Sequence, residues 1–356
     1  MRIGISYNLK SDFSHVAAVM PDDRFEELDD IGTVEDIEKV LHRLGHETVR
    51  LGFGMVAISR LRESPVDLVF NICEGVNGRS REAQMPAIFD MLGVPWVGSD
   101  ALTIALALDK AWTKKIVQQA GFATPPFYTV DNSIQLERML ESRDLHYPLF
   151  VKLSYEGSSM SIDSRSRVRN VQELRDRVQF LLSTYESETV LVEEFMPGRE
   201  FTVGILGNRE PEIVAIMEVA PSDASKDMAS FVYGIDEKRN CDKKITYRIP
   251  ENLDEATEHA IRALAIGVYK ELRCRDMARV DVRLDENGVP NFIEVNTLPG
   301  LNKKHSDLPI MARLAGMSYD DLIARIAEHA LERLQQAPLT TTLVTEEPQS
   351  TAVKQE

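Results

Sequence analysis

The sequence predicts an α/β protein in which an N-terminal unit built on a parallel sheet precedes two α+β units. Strand-like and helix-like segments alternate through the first 105 residues, which is typical of a parallel sheet covered by helices. Near the other end, residues 278–300, ARVDVRLDENGVPNFIEVNTLPG, have the period-two pattern of an antiparallel hairpin with two different faces. At 356 residues the chain is too long for one small core and has room for two or three domains.

The first predicted unit covers residues 1–105. Its expected strands cover 3–6, 66–72 and 94–99, and its expected helices cover 33–44 and 81–92. Thr33 is a candidate N-cap, and Gly45 and Gly93 are candidate helix stops. Between the first strand and helix lies an acidic stretch, DDRFEELDDIG (22–32), which we expect to be a solvated or mobile loop.

The second predicted unit covers residues 106–190, and the third covers 191–335. Helices are expected over 108–120 and 171–182, and a strand over PLFVKLS (148–154). The segment VLVEEFMPGREFTVGILG predicts two strands around Pro197-Gly198. The last helix begins at a Ser318 cap and carries an apolar stripe formed by Leu322, Ile323, Ile326, Ala327, Ala330, Leu331 and Leu334. Residues 336–356 are rich in Thr, Pro, Gln and Glu and predict a disordered tail.

Composition excludes several classes of function. The net charge is −16, and no run of five basic residues occurs, which argues against a nucleic-acid or anionic-membrane surface. The three cysteines are widely spaced, so neither a disulfide framework nor a zinc site is indicated. We find no signal peptide and no apolar window long enough to cross a membrane, and we expect a cytoplasmic protein.

The C-terminal hairpin places charged side chains on one face. A two-residue type I′ turn at Asn287-Gly288 would set Asp281 opposite Glu294 and Arg279 opposite Asn296. Facing carboxylates repel unless a cation lies between them, and an oxygen-only set of this kind suits Mg²⁺. Spacing alone leaves a second interpretation open, in which this is the solvated face of an edge hairpin.

Two segments contain lysines that could meet phosphate. In FVKLSYEGSSMS, Lys152 precedes a Gly-Ser loop whose backbone N–H groups could approach phosphate oxygens, although a polar surface turn has the same composition. In ALDKAWTKK, Lys110 follows an apolar run and could point inward, whereas Lys114 and Lys115 are expected to face solvent.

The segment VEEFMPGREFTV has the residue types of a purine pocket. Apolar side chains can cover the faces of an adenine, the backbone and one carboxylate can meet its edge, and a second carboxylate can bind ribose hydroxyls. The alternative is an acidic strand end that packs on Phe195.

Taken in order, five segments resemble the D-alanine–D-alanine ligase branch of the ATP-grasp superfamily. They are LGVPWVGSD, ALDKAWTKKIVQQAGFATPPF, VKLSYEGSSMS, VEEFMPGREFTVGILG and ARVDVRLDENGVPNFIEVNTLPGL, and the resemblance extends over residues 66–316. It implies a three-lobed ATP-grasp fold and an ATP-dependent ligase that forms an amide bond through an acyl phosphate. It also implies small amino-acid or acid substrates, ATP, two Mg²⁺ ions (or Mn²⁺) and a possible homodimer.

The resemblance assigns roles to residues that match the family's motifs. Residues implied to bind ATP are Lys110, Lys152, Glu156, Gly157, Ser159, Glu193, Phe195, Met196, Glu200 and Lys238. Catalytic roles fall to Arg279, Gly300 and Ser158, and the implied metal ligands are Asp281, Glu294 and Asn296. Lys238 lies in GIDEKRNCDKKI, whose polarity predicts a lid that orders when ATP binds.

Departures from the family pattern concentrate in the segments that would bind the amino-acid substrates. The family's His-Gly turn reads NICEGVNGRSREAQ here, the Lys-Tyr of the lid reads Lys238-Arg239, and LNKKHSDLP follows the NTLPG motif. An insertion there leaves open whether His305 or Ser306 takes the place of the family's serine. Charged residues enter these segments, namely Glu74, Arg79, Arg81, Lys303 and Lys304. Three functions therefore stay open: D-alanine–D-alanine ligase, a ligase for another amino acid, peptide or acid, and an ATP-binding protein without ligase activity.

Overall fold

The structure is a computed structural model, and it describes residues 1–13, 15, 21–185, 189–223 and 228–336. Its N-terminal unit is a parallel four-stranded sheet in the order β2-β1-β3-β4. The strands are β1 (Arg2–Tyr7), β2 (Glu47–Gly52), β3 (Leu68–Ile72) and β4 (Trp96–Val97). The helices are α1 (Ile31–Arg43), α2 (Gly54–Glu63) and α3 (Gln84–Leu92).

This unit confirms the predicted alternation but corrects two of its details. Strand β2 and helix α2 were not predicted, and α1 begins before Thr33. Asp30 is its N-cap, because the Asp30 side chain accepts hydrogen bonds from the N–H groups of Gly32 and Thr33. Gly45 and Gly93 lie just past the ends of α1 and α3 with φ of 83° and 67°, as their predicted role as helix stops requires.

The central unit contains helices that lead into an antiparallel sheet. The helices are α4 (Ala101–Leu108), α5 (Lys110–Gln119), α6 (Ser133–Ser142) and α7 (Val171–Thr184), and the strands are β5 (Phe127–Val130), β6 (Leu149–Leu153), β7 (Arg167–Val168) and β8 (Val190–Glu194). The sheet order is β5-β8-β6-β7. The helix expected over 108–120 was wrong at its start, because Asp109 ends α4 and caps α5 through the N–H groups of Ala111 and Trp112.

The C-terminal unit is built on a five-stranded antiparallel sheet in the order β11-β10-β9-β12-β13. Its strands are β9 (Glu200–Leu206), β10 (Glu212–Pro221), β11 (Ile245–Arg248), β12 (Met277–Leu284) and β13 (Pro290–Asn296). Its helices are α8 (Ile235–Arg239), α9 (Cys241–Lys244), α10 (Glu255–Glu271), α11 (Asp307–Leu314) and α12 (Tyr319–Gln336). Ser318 caps α12, since its hydroxyl accepts the Asp321 N–H, and the predicted apolar stripe packs into the same core as α1 and β1.

Strand β8 pairs with β5 and β6, and β9 pairs with β10 and β12. The two strands predicted around Pro197-Gly198 therefore lie in different sheets. We propose that the boundary between the second and third units lies between β8 and β9, after Glu194, and not at residue 190. Gln336, the first residue of the predicted tail, ends α12, and residues 337–356 lie outside the described residues.

The hairpin register matches the prediction at the charged end, but for a different reason. Its turn is not a two-residue type I′ turn, because the Asp285 N–H bonds to the Val289 carbonyl and Leu284 pairs with Pro290. A bulge at Ile293 shifts the pairing by one residue, so that Asp281 still lies opposite Glu294. The bulge also turns Phe292 into the core and leaves Ile293 on the charged face.

Candidate functional site

Two adjoining cavities lie where the three units meet. The larger, about 420 Å³, is lined by the N-terminal acidic segment, by the start of α5 and by the segment after β13. The smaller, about 90 Å³, lies between the central and C-terminal sheets. Tyr233, Lys238, Arg279 and Glu294 line both cavities, which therefore form one cleft.

Three buried lysines converge on the cleft. Lys110 begins α5 and its ammonium lies 3.4 Å from Glu294. Lys152, on β6, and Lys114, one turn along α5, bind the two oxygens of Glu193 at 2.7 and 2.9 Å. Burial by itself raises the pKa of Glu193, but Lys114 and Lys152 outweigh that effect and lower the pKa below its ordinary value.

The role of Lys114 was predicted wrongly, because its side chain is completely buried and Lys115 alone faces solvent. The signal was present in the sequence. A helix that starts at Lys110 places position 114 on the same face one turn later. The N-cap Asp109 marks that start, but the longer predicted helix concealed it.

The smaller cavity contains the predicted purine-binding side chains. Phe195, Met196 and Glu200 line it together with Glu193 and the bulged Ile293. Arg283 lies 3.2 Å from Glu200, and its guanidinium stacks over the Phe195 ring with 4.6 Å to the ring centre. The pocket is thus apolar on its faces and carboxylate-bearing at its rim.

The Gly-Ser loop, residues 156–161, lies between the two cavities. Ser158, Ser159 and Ser161 have φ of 48°, 57° and 64°, a left-handed conformation that is uncommon outside glycine and often marks functional loops. Gly157 and Ser158 line the larger cavity and Ser159 the smaller one.

The Glu156 carboxylate has a different environment from the one expected for a phosphate-binding loop. It is buried against Arg24 and Arg81, at 2.7 and 2.9 Å, and the Glu156 carbonyl accepts a hydrogen bond from Lys110. Its side chain therefore anchors the loop to the N-terminal unit.

The three predicted metal ligands lie along the cleft. Asp281 and Glu294 are direct neighbours across the hairpin, and Asn296 lies two residues further on. Arg279 binds both Asp281 oxygens at 3.0 and 2.9 Å, and Thr202 donates its hydroxyl to Asp281. Two carboxylates and an amide on one face fit a hard cation such as Mg²⁺.

Glu294 has a strongly lowered pKa. Burial by itself raises its pKa, but Lys110, Lys152 and Arg279 outweigh that effect and lower the pKa to about 2. Below the ordinary pKa near 4.5 the folded state consequently loses stability until Glu294 is protonated near pH 2.

We therefore expect Glu294→Gln to be less stable than the wild type at pH 7, by up to about 3 kcal/mol, and the two to converge between pH 4.5 and 2. Urea unfolding at a series of pH values measures this difference. The exposed Glu286→Gln is the control and should follow the wild type. Parallel curves for Glu294→Gln and the wild type would contradict the assigned cause.

The end of the cleft beyond the metal ligands is formed by the NTLPG segment and α11. His305 and Ser306 both line the larger cavity, so the structure does not choose between them as the family serine. Gly300 approaches Ser306 closely, and a Cβ there would lie 2.7 Å from the Ser306 hydroxyl. Asp307, absent from the sequence prediction, binds the Arg279 guanidinium at 3.1 Å.

The acidic segment 22–32 was expected to be solvated or mobile. The expectation of solvation was wrong for most of the segment, whereas its mobility stays a prediction. Asp23 is buried and accepts hydrogen bonds from the Tyr185 hydroxyl and the Ser161 N–H. Arg239, next to Lys238 in the predicted lid, binds Asp22 and Glu26 at 2.9 and 3.0 Å. The segment thus covers the cleft, and the charges that suggested solvation are paired with other units. That the lid orders on binding ATP stays a prediction.

Comparison with known proteins places this geometry in a family. A sequence model described as "D-ala D-ala ligase C-terminus" matches residues 116–328. The D-alanine–D-alanine ligase of Pelotomaculum thermopropionicum is 33% identical over 308 residues, which cover 84% of this chain and 91% of that protein. This chain belongs to the D-alanine–D-alanine ligase family. An uncharacterized protein of Sinorhizobium fredii is similar too, at 30% identity over 84% of this chain and 87% of its own length.

Solved structures of the family share the fold. The D-alanine–D-alanine ligase of Bacillus anthracis complexed with ATP has a TM-score of 0.67 at 22% identity, and the match covers 94% of this chain and 99% of that one. The VanG D-Ala:D-Ser ligase from Enterococcus faecalis has a TM-score of 0.69 at 23% identity, with 92% and 99% covered. Family membership confirms the predicted resemblance, the ATP-grasp fold and the class of activity, an ATP-dependent ligase that forms carbon–nitrogen bonds. Among the described helices, none combines the length and apolar character needed to span a membrane.

Proposed function

We propose that this protein phosphorylates the carboxylate of one small substrate with ATP and then joins it to the amine of a second. The observation that carries the proposal is the shared cleft. Lys110 lies 3.4 Å from Glu294, and Lys152 lines the smaller cavity together with the paired acids Asp281 and Glu294. The buried Arg279 binds Asp281 and lines both cavities. A protein that only bound ATP would have no need of an arginine at that position.

In the first step a carboxylate oxygen attacks the γ-phosphorus of ATP, and ADP leaves. In the second step the amine attacks the acyl carbon, loses a proton, and phosphate leaves. In the second step, Arg279 and the Gly300 N–H would stabilise the oxyanion of the tetrahedral intermediate that forms before phosphate leaves. Loop residues 157–159 would position the phosphoryl group in the first step. The protein acts by orientation and charge, and no covalent bond to a side chain forms.

Asp281, Glu294 and Asn296 would hold Mg²⁺, which supplies charge neutralisation at the β- and γ-phosphates. Two observations support this proposal. The three residues lie on one face of the hairpin, and the side chains of Lys110 and Arg279 balance the charges of Glu294 and Asp281.

A homodimer and a cytoplasmic location stay predictions.

D-alanine–D-alanine ligase is the second candidate, and the names of the relatives favour it. Against it stands the acidic side chain of Glu74, which lines the larger cavity. Three of the other charged residues of the divergent segments, Arg79, Arg81 and Lys303, are paired with acids of this chain. Arg79 binds Asp109, and Lys303 binds Asp36 at 2.8 Å.

Phosphate release with ATP and Mg²⁺ tests the proposal. Amino acids in D and L forms are supplied singly and in pairs, and amide products are identified by mass spectrometry. We expect phosphate release that depends on a pair and matches amide yield. Comparable turnover with D-alanine alone would favour the second candidate, and ATP binding without phosphate release under any pair would contradict ligase activity.

A further inference from the structure

Three glutamates meet on the N-terminal side of the larger cavity. Glu27 comes from the acidic segment, Glu74 follows β3, and Glu82 lies in a short 3₁₀ turn, Arg81–Ala83. One carboxylate oxygen from each residue lies within 4.8 Å of the other two, and all three residues line the cavity. The proposed phosphoryl chemistry uses none of them.

The cluster carries more negative charge than its surroundings neutralise. Arg81 binds Glu27 at 2.6 Å but also binds Glu156. The Glu82 side chain is only 8% exposed, and across the described ranges its carboxylate has neither a hydrogen bond nor an ion pair. The Glu74 carboxylate is likewise unpaired among the described residues. Two carboxylates are therefore in excess beside a substrate cavity.

The pKa values of Glu74 and Glu82 agree with this excess of carboxylates. Burial, together with repulsion from Glu27, raises the pKa of Glu82 to about 8 against the attraction of Arg81 and Lys110. Burial and repulsion from Glu82 raise the pKa of Glu74 well above its ordinary value. The empty cluster consequently retains protons at neutral pH, and a bound cation would displace them.

The cluster can accommodate an ammonium group. Its three oxygens lie within 4.8 Å of one another, and three tetrahedral N–H donors with N···O distances of about 2.9 Å reach oxygens up to about 4.7 Å apart. Charge favours an ammonium group over a divalent ion, because the guanidinium of Arg81 on Glu27 opposes a divalent charge more strongly than a single one.

We propose that Glu27, Glu74 and Glu82 bind a primary ammonium group of the substrate, and that this substrate is a diamino acid. Two excess carboxylates are balanced by two positive charges, whereas an amino acid with a neutral side chain brings one. The carboxylate of the same substrate would then reach toward Lys110 and Glu294 in the shared cavity. This inference rests on the proposed ligase function for the fate of that carboxylate.

Titration calorimetry on the full chain, with Mg²⁺ and a non-hydrolysable ATP analogue, tests the site directly. The probes are 2,4-diaminobutyrate, ornithine and lysine in D and L forms, each against a neutral analogue, 2-aminobutyrate, norvaline or norleucine. We expect at least one diamino probe to bind ten-fold or more tightly than its neutral analogue, with proton release near pH 7. Two buffers of different ionisation enthalpy measure that release.

Glu82→Gln and Glu74→Gln should each remove the preference and reduce the proton release, and Glu286→Gln should keep both. Urea unfolding establishes that each variant is folded. Equal binding of diamino and neutral probes would overturn the proposal. So would binding of Mg²⁺ or Ca²⁺ alone that Glu82→Gln abolishes, because the cluster would then be a metal site.

The two proposals can fail separately. If diamino acids bind through the glutamates without phosphate release, the ammonium site is supported and the ligase function is contradicted. If phosphate is released with neutral amino acids only, the ligase function is supported and the ammonium site is contradicted.

Discussion

Replacing Arg279 with lysine is expected to slow amide formation by about 10²–10³-fold and to leave ATP binding nearly unchanged. The guanidinium is buried and held from two sides, by Asp281 at 2.9 Å and by Asp307 at 3.1 Å. Lysine keeps one positive charge between the two acids. A single ammonium cannot bind both acids and a developing oxyanion with the planar geometry of the guanidinium.

The two chemical steps can be measured separately. Positional isotope exchange within ATP, with the carboxylate substrate alone, reports reversible acyl-phosphate formation, and amide yield reports the second step. We expect Arg279→Lys to keep the exchange and lose the amide. An equal loss of both steps would assign Arg279 to the phosphoryl transfer instead.

Arg283→Lys is the matched control. Arg283 is also buried on the same face of β12, but it contacts Glu200 and Phe195 in the smaller cavity. Its replacement should raise the KM for ATP and leave the ratio of amide formation to isotope exchange unchanged. If both variants changed that ratio alike, general loosening of the strand would explain the result.

Local patterns predicted the elements that bury one clear face. The stripe of α12 and the strand 66–72 were found because helical periodicity in the first and a short apolar run in the second can be recognised without reference to distant residues. Strand β2 was not predicted because Glu47 and Arg50 interrupt its apolar residues, and its burial depends on pairing with β1 and on packing against α2 and α3. Strands β8 and β9 were both assigned to the third unit, since no local signal shows that the chain changes sheets at Pro197-Gly198.

In the candidate site, too, local patterns were predicted correctly and contacts between distant residues were not. Asp281 and Glu294 were paired correctly although the predicted turn was wrong, because the bulge at Ile293 compensates for the longer turn. Where charges pair across units, sequence reasoning failed. The acidic segment was interpreted as solvated, yet Arg239 and Arg81 reach it from elsewhere in the chain, and sequence separation conceals such partners.

Lys114→Met is expected to lower the free energy of unfolding by about 3–5 kcal/mol, because it leaves a buried glutamate with one partner fewer. The Lys114 ammonium lies 2.9 Å from Glu193 and 2.8 Å from the Thr124 hydroxyl, with no solvent exposure of the side chain. Burial lowers the pKa of Lys114 to about 8 against the attraction of Glu193. Urea unfolding at pH 7 measures the difference.

The adjacent Lys115→Met is the control, since Lys115 is exposed and its replacement should change stability by less than about 0.5 kcal/mol. A double variant, Lys114→Met with Glu193→Gln, should recover part of the loss, because the unpaired charge is gone although Lys152 then lacks its partner. Recovery would locate the cost in the Glu193 charge, whereas a double variant as unstable as the sum of the single ones would locate it in packing. In either case the double variant should bind ATP more weakly than the wild type does, because Glu193 itself lines the smaller cavity.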